Sequence, residues 1–198
     1  MKSAIFASLV VGTAAFAPAQ QASVSTSLAA SSTGPNTAFA NEPGVVAPLG
    51  LFDPFSVLDD ADQERFDHLR AVEIKHGRVS MLAVVGYLVT YAGIRLPGLE
   101  DVPTGFAAWS ALPDEVVGQM GMSWIVMEMA NRDHTGNAET PGDFRNGLLD
   151  FGWDDQTDEW KKKKQTIELQ NGRAAQMGIL GIMVHESMGN LQEILPHY

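Results

Sequence analysis

A six-residue polar motif occurs twice in the chain, each time at the head of an apolar run. The first copy is Glu73-Ile74-Lys75-His76-Gly77-Arg78 and the second is Glu168-Leu169-Gln170-Asn171-Gly172-Arg173. The match continues in register, with Gly86 opposite Gly181 and Val89 opposite Val184. Self-similarity of this kind implies equivalent structural units, here two helices related by a pseudo-two-fold axis. A lone Glu or Arg within an apolar helix is expensive. Two related helices remove that expense if each Glu meets the other helix's Arg, which predicts the pairs Glu73 with Arg173 and Glu168 with Arg78. Gly77 and Gly172, with Gly86 and Gly181, would let the two backbones approach closely where they cross.

Three apolar stretches support an all-α fold with three transmembrane helices, over about residues 71–94, 116–130 and 167–191. Helices 1 and 3 form the crossed, ion-paired couple and helix 2 lies alongside. Pro97, Pro103, Pro113, Pro141 and Pro196 all fall outside the stretches, as helix interiors require. The outer two would be roughly 35 Å long, enough to cover a bilayer core of about 30 Å. None is an unbroken apolar span, so hydropathy alone leaves a soluble helical bundle open. Basic residues break the symmetry between the two ends. Arg65, Arg70, Arg132, Arg145 and the quartet Lys161–Lys164 lie on one side and only Arg95 on the other, which sets an orientation under the positive-inside rule. The quartet itself reads as a solvated flank before the third helix.

The first 37 residues read as a bipartite targeting presequence, and residues 38–198 as the membrane domain. Met1-Lys2-Ser3 precedes the apolar run Ala4–Ala17, too short to span a bilayer but suited to a signal peptide. Pro18–Thr37 is rich in Ser, Thr and Ala and free of Asp and Glu, as in transit peptides. The junction Ala14-Ala15-Phe16-Ala17-Pro18 resembles the cleavage site of presequences in algae with secondary plastids, such as diatoms. The chain has no cysteine, so disulfides and thiolate metal sites are excluded. A net charge of −11 excludes a nucleic-acid partner, which needs a basic footprint.

Within each sextet, an arginine can hold one carboxylate oxygen and leave the other as an acceptor. That oxygen, and the His or Asn one turn on, are hard N/O donors suited to the axial position of a magnesium already held by four ring nitrogens. A di-iron enzyme would need two ExxH motifs and two more carboxylates on facing helices. The second copy here has Asn171 instead of His, and no phosphate loop, Rossmann glycine pattern or Ser–His–Asp arrangement is present.

The paired ExxHxR and ExxNxR sextets resemble the signature of the light-harvesting chlorophyll-protein family. The segments VEIKHGRVSMLAVVGYLV, GDFRNG (142–147), DFGWD (150–154) and NGRAAQMGILGIMVHE resemble its fucoxanthin–chlorophyll a/c-binding branch, as in diatoms. The resemblance covers roughly residues 44 to 190. It implies a non-enzymatic antenna that binds chlorophyll a, chlorophyll c and fucoxanthin, with diadinoxanthin as a further candidate. The chlorophyll ligands it implies are Glu73, His76, Glu168, Asn171 and His185, with Glu128 and Gln119 on the middle helix. Glu128 would need a magnesium or Arg132 as its counter-charge. His68 and His134 remain surface residues. Leu51–Phe55 and Asp150–Asp154 look like the family's paired carotenoid head-group loops. The implied setting is the plastid thylakoid membrane, as a multi-pass protein in contact with lipid, a photosystem core and other antenna subunits, in a homo- or hetero-oligomer. A photoprotective, energy-dissipating member of the same fold is the alternative; Glu100, Asp101, Asp114 and Glu115 would then be the carboxylates on the lumenal side.

Overall fold

Asp62 starts the first helix by accepting a hydrogen bond on its side chain from the backbone N–H of Arg65, at 2.9 Å. This satisfies one of the donors that every helix start leaves unpaired. The computed structural model describes residues 39–59, 61–132, 140–145 and 152–195. These fall within the unit Pro35–Tyr198; the expected presequence, residues 1–37, lies outside the described residues. The helices are α1 (Gln63–Tyr91), the short α2 (Phe106–Ala111), α3 (Asp114–Ala130) and α4 (Asp158–Met188), followed by a 3-10 turn at Leu191–Glu193. The described residues contain no β-strand, and the fold is all-α.

The helices are longer than the apolar stretches that announce them. α1 begins eight residues before the expected 71 and α4 nine before the expected 167. The added turns are charged and were invisible to an apolar pattern. Thr157 caps α4 by accepting from Trp160 N at 3.4 Å, and Asp158 and Glu159 in its first turn suit the positive end of the helix dipole. Lys161–Lys164 therefore lie inside α4 rather than in a flank before it. At the far end, Gly189 adopts φ 74° and its N–H returns to the last turn, closing the helix as glycine readily does. α4 stops there, short of the expected 191. α1 ends at Tyr91 rather than 94, where Gly93 turns the chain away at φ 84°. The middle stretch becomes α3, starting two residues earlier than expected, and α2 was not anticipated.

α1 and α4 cross at Gly77 and Gly172. A Cβ on Gly77 would stand 2.9 Å from the Cα of Gly172, and one on Gly172 would stand 3.0 Å from the Cα of Gly77. Backbones this close leave no room for any side chain. Gly86 and Gly181 play no part: nothing lies within 4 Å of a Cβ at either. The helices have diverged by that point, so the expected close approach is confined to one glycine pair.

α3 stands apart from this couple. No Cα of α3 lies within 8 Å of a Cα of α1 or α4 among the described residues. Two connections hold the far end of the molecule together. Tyr91 Oη donates to Leu195 O at 3.1 Å. Glu186 of α4 accepts from Tyr87 Oη at 3.1 Å and from the first N–H of α2, Phe106 N, at 2.7 Å. Gly105 lies beside the Glu186 carboxylate at φ 72°, a backbone conformation that residues with a side chain rarely adopt.

Among the described residues no helix is both long and apolar enough to cross a membrane on its own composition. The reason is local. α1 carries charges as far as Arg78 and α4 as far as Arg173 and again at Glu186, while α3 is apolar but only 17 residues long.

Candidate functional site

The two sextets face each other across the glycine crossing. Arg78 Nε donates to Glu168 Oε1 at 2.6 Å, and Arg173 Nε donates to Glu73 Oε1 at 2.7 Å. Each guanidinium also grips a loop. Arg78 Nη1 donates to Gly142 O and Arg173 Nη1 to Gly44 O, both at 2.8 Å. These two glycines occupy equivalent places in the repeat. Each follows a proline, each has positive φ (88° at Gly44 and 84° at Gly142), and each rests on the residue after a sextet glutamate. A Cβ on Gly44 would lie 2.8 Å from Leu169, and one on Gly142 would lie 3.0 Å from Ile74. The pseudo-symmetry thus extends from the helices to the loops that lock them. The dipeptides Pro43-Gly44 and Pro141-Gly142 were the signal for this, since Pro-Gly marks a turn with a left-handed residue, but nothing in the sequence says which arginine a turn carbonyl will meet.

The two halves differ in one respect. Glu73 Oε2 also accepts from Arg70 Nη1 at 2.9 Å, so both of its oxygens are engaged. The expectation of a free oxygen on Glu73 is corrected accordingly, and any metal there would have to use a second lone pair. Arg70 is only 9% exposed and stands 5.1 Å above the Phe66 ring, which stacks on Phe39 at 4.2 Å. On the other helix, Gln165 takes the equivalent place and donates to Thr140 Oγ1 at 3.3 Å. Glu168 consequently keeps Oε2 without a hydrogen bond among the described residues.

One turn on from Glu73, the exposed His76 has Nδ1 2.8 Å from Val72 O. A carbonyl only accepts, so Nδ1 donates to it, and in the neutral ring Nε2 is the unprotonated nitrogen. Histidines that ligate metals commonly donate their other ring N–H to a backbone carbonyl in this way. Asn171, its counterpart on α4, is exposed and its amide has no hydrogen bond among the described residues. On α3, Gln119 is likewise exposed and without a side-chain hydrogen bond. Glu128 Oε2 lies 2.5 Å from Lys75 Nζ of α1; its observed counter-charge is therefore not the expected Arg132 but a lysine from across the molecule. His185, near the end of α4, is half-buried with Nδ1 3.0 Å from Asn190 Oδ1. His68 is an exposed residue of α1, while His134 lies outside the described residues. No three His, Asp or Glu side chains converge as a metal cluster among the described residues.

At the basic end, a cavity of about 710 Å³ opens between α1, α4, the end of α3 and the 140–145 loop. Glu168, Arg78, Phe144, Trp153, Trp160 and Asn131 are among its walls. Arg145 braces the loop. Its Nε and Nη2 engage the two oxygens of Asp143 at 2.9 and 2.7 Å, and its Nη1 reaches Asp154 at 3.1 Å. The guanidinium also sits 5.4 Å over the Trp153 ring. Those hydrogen bonds hold the Asp143 carboxyl below its ordinary value against the opposing effect of burial, and raise the pKa of Arg145 further. Arg145 thereby ties the GDFRNG segment to the DFGWD segment, of which Asn146, Gly147, Asp150 and Phe151 lie outside the described residues.

A profile of the family described as "Chlorophyll A-B binding protein" matches residues 39–187. The chain is 52% identical to "Fucoxanthin-chlorophyll a-c binding protein C, chloroplastic" of Phaeodactylum tricornutum, over 96% of this chain and 97% of the relative. It is 51% identical to "Fucoxanthin-chlorophyll a-c binding protein, chloroplastic" of Trieres chinensis, over 96% of each. It is 45% identical to "Fucoxanthin-chlorophyll a-c binding protein B, chloroplastic" of Macrocystis pyrifera, over 77% of this chain and 74% of the relative. The match spans both sextets and the loops that lock them, and the chain belongs to the chlorophyll A-B binding protein family.

Proposed function

We propose that this chain is a light-harvesting antenna protein that binds chlorophyll a, chlorophyll c and fucoxanthin, and that its mature form spans the thylakoid membrane of a plastid. The family is pigment-binding and not enzymatic. The observation that carries the reading is the pairing of the two sextets: each arginine neutralises a glutamate across the crossing, and hard donors are left on the outer faces of both helices. The donor set fits a chlorophyll magnesium. His76 offers an unprotonated Nε2, Glu168 an unbonded carboxylate oxygen and Asn171 an unbonded amide. Glu73, Glu128, Gln119 and His185 complete the set of proposed ligands. Bound chlorophyll and carotenoid supply the light-absorbing and energy-transferring transitions; the polypeptide fixes their spacing and orientation.

Pairing also bears on the membrane. Counted from the neutralised pairs, Glu73 to Tyr91 and Glu168 to Met188 are roughly 28 and 32 Å long, close to a bilayer core of about 30 Å. The surfaces beyond the crossing suit lipid and pigment: Leu82 is 71% exposed and Met177 70%. α3, standing off from the couple, presents exposed Met120, Met122, Trp124, Ile125 and Val126. Leu51–Phe55 and Asp150–Asp154 would hold carotenoid head groups, with diadinoxanthin as a further occupant. Residues 1–37 act as the presequence, and the assembled protein passes energy to a photosystem core within an oligomer.

The test is to refold the chain with chlorophyll a, chlorophyll c and fucoxanthin, with and without His76→Leu. The variant should retain its helical circular dichroism and lose about one chlorophyll per polypeptide, as expected from removing a sole axial ligand. An unchanged chlorophyll content would refute a ligand role for His76. A fluorescence lifetime that stays long on acidification would separate harvesting from energy dissipation.

A further inference from the structure

We propose that Lys75 is the counter-charge and positioning residue of Glu128, so that α1 prepares a chlorophyll site borne by α3. The inference rests on the reading of Glu128 as a magnesium ligand and adds to it the residue that makes such a ligand tolerable. Lys75 Nζ and Glu128 Oε2 are 2.5 Å apart, although no Cα of α1 lies within 8 Å of α3. The two long side chains therefore bridge a gap that the helix backbones do not close. Glu128 Oε1 makes no hydrogen bond among the described residues, which leaves its lone pairs for a metal.

The repeat supplies a second, independent observation. Glu73 and Arg78 have charged counterparts in Glu168 and Arg173, but Lys75 is matched by the neutral Gln170. The charge present in only one copy of the sextet is thus the one that meets α3. Chemistry gives the reason. A chlorophyll is neutral at its centre, since two ring charges balance the magnesium, so a carboxylate ligand leaves one negative charge in a low-dielectric site. Such a charge is stable only when paired. Glu73 and Glu168 have arginines for this purpose, and Glu128 has Lys75. In open water a pair with Lys75 56% and Glu128 36% exposed would contribute little; against lipid and pigment its screening is lost.

The experiment compares four variants of the chain refolded with chlorophyll a, chlorophyll c and fucoxanthin. Glu128→Leu should lose about one chlorophyll per polypeptide, the share of a single ligand. Lys75→Met should lose the same chlorophyll, recognised by the same difference absorption spectrum, with helical circular dichroism unchanged. Lys75→Arg should keep it. The double variant Lys75→Met with Glu128→Gln should regain it, because a neutral amide ligand needs no counter-charge. A full complement in Lys75→Met beside a deficit in Glu128→Leu would overturn the counter-charge role alone. Failure of the double variant to regain the pigment would do the same. A full complement in Glu128→Leu would remove the ligand role, and the proposal with it.

Discussion

At the scale of residues, the sextet arginines each serve two partners, a glutamate on the opposite helix and a loop carbonyl. Removing one should therefore be felt in both halves. Arg78→Leu strands Glu168 and releases Gly142, and is expected to destabilise the membrane-bound protein by about 3 kcal/mol, the loss from breaking a pair shielded from water by lipid and pigment when one partner is deleted. Chlorophyll per polypeptide should fall at the Glu168 site as well as near α1; loss confined to α1 would contradict the crossed pairing. Asp143 provides a test outside the helices. Its folded pKa lies below the ordinary 3.8, so its stabilising contribution is complete above that pH and is lost as pH falls through the lower, folded value. Proteolytic protection of the 140–145 loop should consequently decline only in strong acid, and Asp143→Asn should abolish that acid step while weakening protection at neutral pH.

At the scale of elements, the glycine crossing separates positions that look alike in sequence. Gly77→Ala must push α1 from α4, at a cost of about 1–3 kcal/mol for overpacking. Gly86→Ala meets open space and, as a better helix former, should be neutral or stabilising by up to about 1 kcal/mol. Thermal unfolding followed by circular dichroism in detergent distinguishes the two. This contrast also shows how far the sequence could be read. The repeat named the partners Glu73–Arg173 and Glu168–Arg78 because charge neutralisation between equivalent helices has a single solution. It could not say which of two glycine pairs lies at the crossing, since that depends on the crossing angle. Arg70 was equally hidden: an i, i+3 relation to Glu73 is visible, but its burial over Phe66, itself stacked on Phe39, depends on a segment distant in sequence. The charged turns that begin α1 and α4 escaped an apolar pattern, while the caps Asp62 and Thr157 that define them were present to be read. Lys75 reached Glu128 across a distance in sequence that no periodicity reports.

At the scale of the whole molecule, one couple of helices is held by direct packing and the third is held at a distance. α1 and α4 share a backbone crossing, two ion pairs and two locking loops; α3 is joined to α1 by Lys75 and Glu128. The bound pigments would then be part of the tertiary structure, filling between α3 and the couple. Extracting them should leave the α1–α4 pair helical while the chain around 131–132 becomes more open to protease; equal protection with and without pigment would count against this. The central claim, that the scaffold exists to couple carotenoid to chlorophyll, is tested most directly by the fluorescence-excitation spectrum of the protein purified from membranes in mild detergent. Chlorophyll emission should be observed, with an excitation spectrum that contains the fucoxanthin absorption band. A colourless protein, or chlorophyll emission with no carotenoid contribution to its excitation, would contradict it.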